Sequence, residues 1–232
     1  MQPILRLFLV KNSGDLARLG VILALAGLIL FGALRYDNFL SPYNILSFLR
    51  YNSMFALIAL GMAFVIMTGG IDLSVGGTAA MASVVAALFS PYHWAAGLFG
   101  GMAAGLAVGA LNGFIITKMR IQPFIATLGT MGIFRSLVTW LADGGTLSLD
   151  SGLRALYRPV YFGGIGWITW PIIIFAVVAI LGEWLMRHTR FGRHVEAIGS
   201  NDRVARYSAV DVERVRLQTY VLLGALVGLA RS

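Results

Sequence analysis

Seven apolar runs, most of them close to the length that crosses a bilayer, constrain this chain more than anything else in its sequence. They are Leu19–Leu34, Tyr51–Met67, Leu73–Phe89, Ala95–Thr117, Gln122–Ala142, Trp167–Leu185 and Leu217–Ala230. A helix needs about 20 apolar residues to span the hydrocarbon. Inside lipid every backbone N–H and C=O has to be satisfied within the fold, which leaves helices as the natural reading of such runs. The expectation is an all-α fold: a polytopic transmembrane helical bundle of about seven spans, forming one membrane domain over residues 1–232. The first and last runs are short, and the last is expected to end inside a helix. Composition agrees, with 58% hydrophobic and 12% charged residues against soluble averages of roughly 45–50% and about 25%.

The cations sort by side. With the N-terminus placed in the cytoplasm, Arg6, Lys11, Arg18, Lys118, Arg120 and seven arginines between Arg187 and Arg216 all fall inside. Only Arg35, Arg50, Arg154 and Arg158 fall outside. An excess of this kind marks the cytoplasmic side. It also gives the net charge of +8 a topological meaning, so nucleic acid is not an expected partner; membrane lipid is. Only five residues separate Arg18 from the small-residue triplet Ala24-Leu25-Ala26, too few for the apolar core of a cleaved signal. The first run reads as a retained span. Cysteine is absent, so disulfides and thiolate metal sites are excluded.

The longest polar stretch is Arg187–Arg216, which carries seven of the 18 cations and four of the ten acids. It is a cytoplasmic loop, long enough to be a docking surface and too short to hold its own core. Ser200 and Asn201 are suitable caps for a short helix over Asp202–Ser208, with Val204 and Tyr207 on one side. Asp211 is a second cap, leading through Val212–Arg216 into the last span. A short surface helix, presented by a turn at Gly199 that calls for φ > 0 and seated closely through the small Ala205, fits a groove on another protein; the alternative is a solvated loop.

Three features inside the spans stand out. Gly97, Gly101, Gly105, Gly109 and Gly113 recur every four residues and fall on one helix face, where small residues let backbones approach in lipid. Helix packing against the third span, itself rich in small residues, is the expected role; ordinary membrane glycine content is the alternative. Second, Thr68-Gly-Gly-Ile-Asp72 turns sharply before Ser74, and Asp72 is expected to cap the third helix or to serve as a polar gate or ligand contact. Third, Pro123 starts a span rich in hydroxyls, including Thr127 and Thr130, with Arg135 about 20 Å along it. An intramembrane arginine is a functional candidate; its alternatives are snorkelling outward or pairing with Asp143. The segment Asp143–Gly166 is too polar to cross and is expected to lie over the outer face.

Several motifs carry a resemblance. These are ThrGlyGlyIleAspLeuSerValGly at 68–76, AsnGly at 112–113, IleGlnProPheIleAlaThrLeuGlyThrMet at 121–131, and ThrArgPheGlyArg with AlaIleGlySerAsn and AlaArgTyrSer within 189–208. In order and spacing they resemble the permease subunits of bacterial ABC sugar importers, the branch that includes ribose, xylose, galactoside and autoinducer-2 permeases. The resemblance implies a subunit forming a path for a monosaccharide (pentose or hexose) across the inner membrane. Its implied partners are an ABC ATPase subunit, a second permease subunit of the same or a related chain, and a periplasmic sugar-binding protein. ATP and Mg would be held by the ATPase, with no cofactor in this chain, which has no Walker A sequence. The segment matching the family's coupling region implies ATPase-coupling roles for Glu196, Ala197, Gly199, Asn201, Ala205, Arg206 and Tyr207. Asp72, Ser74, Asn112, Thr127, Thr130 and Arg135 are the candidates for the translocation path. Family members continue beyond the point where this sequence stops, so the resemblance implies either a truncated gene product or a fragment.

Two other function classes make different demands on the sequence. A secondary transporter or channel for a small polar solute, working without an ATPase, needs buried ion-coupling carboxylates, and Asp72 is the one candidate. A membrane enzyme is disfavoured because His93, His188 and His194 form no metal-binding or acid–base pattern, so no catalytic or metal residue is expected.

Overall fold

The computed structural model describes residues 13–144, 157–159 and 161–231. Most of the expected outer-face segment after Asp143, with Arg154, lies outside them, as does most of the N-terminal arm. The chain divides into two compact units, Met1–Phe48 and Leu49–Ser232.

In the first unit, α1 (Ser13–Arg35) is followed by a short turn and the first residues of α2 (Pro42–Met67). Side chains such as Val21, Leu28 and Leu34 are exposed along α1, the surface a lipid-facing helix presents. The ring of Phe39 folds back over Gly32, within 2.8 Å of where a Cβ would sit.

The second unit continues α2 and adds α3 (Val75–Phe89), α4 (Trp94–Thr117) and α5 (Pro123–Leu141). A two-residue hairpin follows, β1 (Gly164–Ile165) with β2 (Ile168–Thr169), paired antiparallel as Gly164↔Thr169 and Ile165↔Ile168. Then come α6 (Trp170–His188), α7 (Arg190–Ser200), α8 (Asp202–Tyr207) and α9 (Val212–Arg231). Pro123 and Pro171 open α5 and α6, where a missing N–H leaves nothing unpaired. Among the described residues five helices are long and apolar enough to cross a membrane: α1 from Arg18, α2, α4, α5 and α6. The third expected span is a shorter helix of 15 residues. The last, α9, is 20 residues long but carries Glu213, Arg214 and Arg216 at its start, so its apolar part is brief.

Buried Val65, Ala79, Ile116, Ala126, Tyr220, Leu223 and Val227 make the main core, drawn from α2, α3, α4, α5 and α9. The glycine face of α4 does not mainly address α3, as the sequence led us to expect; it addresses α9. A Cβ on Gly105 would overlap the Gly224 carbonyl and lie 2.8 Å from Gly228 Cα; one on Gly109 would overlap the Tyr220 carbonyl. At Gly113 the neighbour is Leu217 Cα, 3.2 Å away. Gly224 and Gly228 answer from α9; a Cβ on Gly228 would lie 2.8 Å from the Gly101 carbonyl oxygen. The reason is reciprocal spacing: α9 carries its own pair of glycines four residues apart, and two small-residue faces can interleave at backbone distance. Only Gly97, at the far end, faces Ala86 and Ser90 on the α3 side.

Candidate functional site

The polar turn after α2 is built by satisfying donors outside the helices. Gly69 adopts φ +77, a left-handed conformation that costs glycine little, and the Gly70 N–H returns to Val65 O at 3.0 Å. The chain then enters a buried polar knot. The Asp72 carboxylate accepts the Ser74 N–H at 2.7 Å and the Ser74 hydroxyl at 2.6 Å. Asn112, on α4, donates through Nδ2 to Ser74 Oγ at 2.7 Å and to Asp72 Oδ2 at 3.5 Å. Thr127 Oγ1, on α5, accepts the Leu73 N–H at 3.1 Å and donates to Pro123 O at 2.8 Å. Asp72, Ser74, Asn112, Thr127 and Thr130 are all buried. Burial pushes the Asp72 carboxyl above its ordinary range, opposed by the hydrogen bonds from Ser74 and Asn112.

Ser74 holds the N-cap position of α3 but makes no side-chain capping bond; it is Asp72, two residues earlier, that accepts a free N–H at the start of the helix, that of Ser74. Of the six residues expected on a translocation path, five converge here: Thr130 sits one turn beyond Thr127, its hydroxyl on the Thr127 carbonyl at 3.2 Å. Arg135 does not join them. It is exposed further along α5, and no salt bridge links it to Asp143.

The second candidate region is α7, α8 and the start of α9. Thr189 opens α7 by accepting the Gly192 N–H at 3.3 Å. Asn201 opens α8 by accepting the Val204 N–H at 3.1 Å, and Asp211 opens α9 by accepting the Arg214 N–H at 3.0 Å. These helices share a small apolar cluster of Val195, Ile198, Ala205, Val212 and Val215. Glu196 and Arg206 face solvent, Ala197 is half-buried, and Tyr207 and Val204 are 90% and 57% exposed.

Two sequence expectations change here. Gly199 is not a turn residue with positive φ: it lies within α7, and its smallness serves a contact, since a Cβ there would overlap the Met67 carbonyl at the end of α2. Ala205 does not face outward. It is 2% exposed and turned into the cluster, so the outward face of α8 belongs to Val204 and Tyr207. The apolar side of α8 is spent on its own protein because α7 and α9 offer Val195, Ile198 and Val212 to cover.

Arg216 was not singled out by the sequence. Its Nη2 donates to Asp202 Oδ2 at 3.1 Å and its Nε to Thr68 O at 3.3 Å. Arg206 shares the same carboxylate at 3.2 Å, and Lys118 meets Glu213 at 3.5 Å. Beside these groups a cavity of about 400 Å³ is lined by Thr68, Gly70, Arg120, Gln122, Arg216 and Tyr220, among others. Another, of about 480 Å³, is bordered by Ser90, Trp94, Tyr157 and Tyr161.

Residues 44–230 match the family model described as the permease component of branched-chain amino acid transport systems. The chain is 39% identical over 222 residues to the ribose import permease protein of Bacillus subtilis (strain 168), covering 94% of this chain and 68% of that one. It is 33% identical over 204 residues to the D-allose transport system permease protein of Escherichia coli (strain K12), covering 87% and 62% respectively. To the autoinducer 2 import system permease protein of Salmonella paratyphi B (strain ATCC BAA-1250 / SPB7) it is 31% identical over 214 residues, 90% and 60%. The chain thus spans roughly two thirds of the length of these relatives. No solved structure matches it.

Proposed function

The chain belongs to this family of transport permease components, and from that premise we propose that it is a permease subunit of an ABC importer carrying a monosaccharide, pentose or hexose, across the inner membrane. The observation that carries the reading is the likeness to ribose and allose permeases, which runs through nearly the whole chain. It favours this reading over a transporter or channel working without an ATPase. Arg187–Arg216 lies on the cytoplasmic side, where α8 offers Val204 and Tyr207 to a groove of the ATPase subunit. ATP and Mg act on that ATPase. A second permease subunit completes the pore, and a periplasmic binding protein delivers the sugar. The buried knot at Asp72, Ser74, Asn112 and Thr127 fixes the ends of α2, α3, α4 and α5 beside the path.

The test is uptake of labelled ribose, allose and glucose into vesicles containing this chain with its ATPase and binding protein. Uptake of one of these sugars that requires internal ATP supports the reading. Uptake that persists without ATP hydrolysis but collapses with an ion gradient assigns the chain to the other transporter class.

A further inference from the structure

Two helix ends meet at one side chain. Thr68 O follows the last residue of α2, and carbonyls at such an end have no partner within the helix. A cation placed there is favoured by the helix dipole. Asp202 is the first residue of α8, where an acid is favoured for the same reason. Arg216 spans both, Nε on Thr68 O at 3.3 Å and Nη2 on Asp202 Oδ2 at 3.1 Å. The planar fork of a guanidinium points donors at two acceptors at once, which an ammonium on a flexible stem does not reproduce. One turn further along α9, Tyr220 brings its hydroxyl to 3.5 Å from Ile71 O. Gly199, from α7, approaches the Met67 carbonyl too closely to admit a Cβ.

The turn gripped in this way is the one that carries Asp72 into the knot with Ser74, Asn112 and Thr127. We infer that Arg216 is a positioning residue that ties the coupling helix α8 to the Thr68–Asp72 turn, so that displacement of α8 by the ATPase is passed to the buried knot. This rests on the importer reading above. Arg216 and Asp202 are 29% and 38% exposed as side chains. The tie is therefore partly screened, a contact suited to breaking and re-forming within a transport cycle rather than to holding the fold.

The experiment compares Arg216→Gln, Arg216→Lys, Asp202→Asn and their parent, each in vesicles with the ATPase and binding protein. It reads four quantities: permease abundance, ATPase recovered with the permease, ATP hydrolysed and sugar taken up. Arg216→Gln is expected to keep abundance and ATPase recovery while sugar moved per ATP falls about tenfold, within the range over which residues along a coupling route act. Asp202→Asn should fall similarly. A double variant, Arg216→Gln with Asp202→Asn, should fall by less than the product of the two single effects, because both singles remove the Arg216–Asp202 contact while only Arg216→Gln loses Thr68 O and only Asp202→Asn loses Arg206. Arg216→Lys should recover part of the ratio. Unchanged sugar per ATP in both Arg216→Gln and Asp202→Asn overturns the inference and leaves the importer reading standing. Loss of uptake that only follows loss of abundance in both variants assigns the bridge to stability and also overturns it. If the parent itself recovers no ATPase and shows no ATP-dependent uptake, the importer reading falls and takes this inference with it.

Discussion

Replacing Gly105 by alanine adds a single methyl group where α4 and α9 touch, and the geometry fixes what must follow. The new Cβ would overlap the Gly224 carbonyl and stand 2.8 Å from Gly228 Cα and N. Every one of these neighbours is backbone, so no rotamer change relieves the contact. Carbon atoms sit best about 3.5–4.0 Å apart, so the helices have to part by about 1 Å, and a gap of that size forfeits about a quarter to a half of each dispersion contact along the seam. Overpacking of this kind costs about 1–3 kcal/mol; at about 2 kcal/mol the folded population falls roughly 30-fold relative to unfolded. The control is Gly129→Ala in α5, where nothing lies within 4 Å of the added Cβ. Thermal unfolding of both variants in detergent, followed by loss of the monodisperse peak, makes the comparison. Gly105→Ala is expected to melt well below the parent and Gly129→Ala to stay beside it. Equal melting of the two refutes the α4–α9 seam as the tight contact of the bundle.

Three further outcomes are expected. Asn112→Leu removes the donor to Ser74 Oγ and leaves buried Asp72 and Ser74 short of a partner, at about 1–3 kcal/mol; the same melting assay reads it, and an unshifted curve means the knot does not hold the helices. Ala205→Trp should lower the abundance of the permease itself, since Ala205 is buried in its own cluster, whereas Tyr207→Ala should keep abundance and reduce ATPase recovery; the reverse pattern would turn α8 around. Arg135→Leu should keep abundance, and full sugar uptake in that variant excludes Arg135 from the path.

The helical character of the apolar runs was legible because lipid imposes a simple code. Apolar runs of sufficient length became helices, and prolines opened α5 and α6 where the sequence placed them. Asn201 and Asp211 took the capping positions that short polar side chains favour. Which helices touch was not legible in the same way. The glycine stripe on α4 specifies a close neighbour without naming it, and α3, rich in small residues and next in the chain, was the obvious choice. The answer lay in Gly224 and Gly228, whose spacing matches the stripe but which stand more than 100 residues away, in α9.

The functional region shows the same limit at the level of single side chains. A six-residue helix has too few positions for periodicity to assign its faces, so the small Ala205 read as a seat against a partner rather than as part of a local core. Burial under Val195, Ile198 and Val212 decides between them, and it shifts the outward role to Val204 and Tyr207. Gly199 was expected to matter for its backbone angles and instead matters for what it touches, the Met67 carbonyl. Arg216 carried no sequence signal of its own, being one arginine among seven in the polar stretch Arg187–Arg216. Its significance comes from two acceptors, 14 residues before it and 148 residues before it, at helix ends whose charges call for an acid on α8 and a cation on α2. Once α8 starts at Asp202 and α2 stops before Thr68, a single guanidinium between them satisfies both ends, and the short helix α8 and the polar turn become parts of one hydrogen-bonded path.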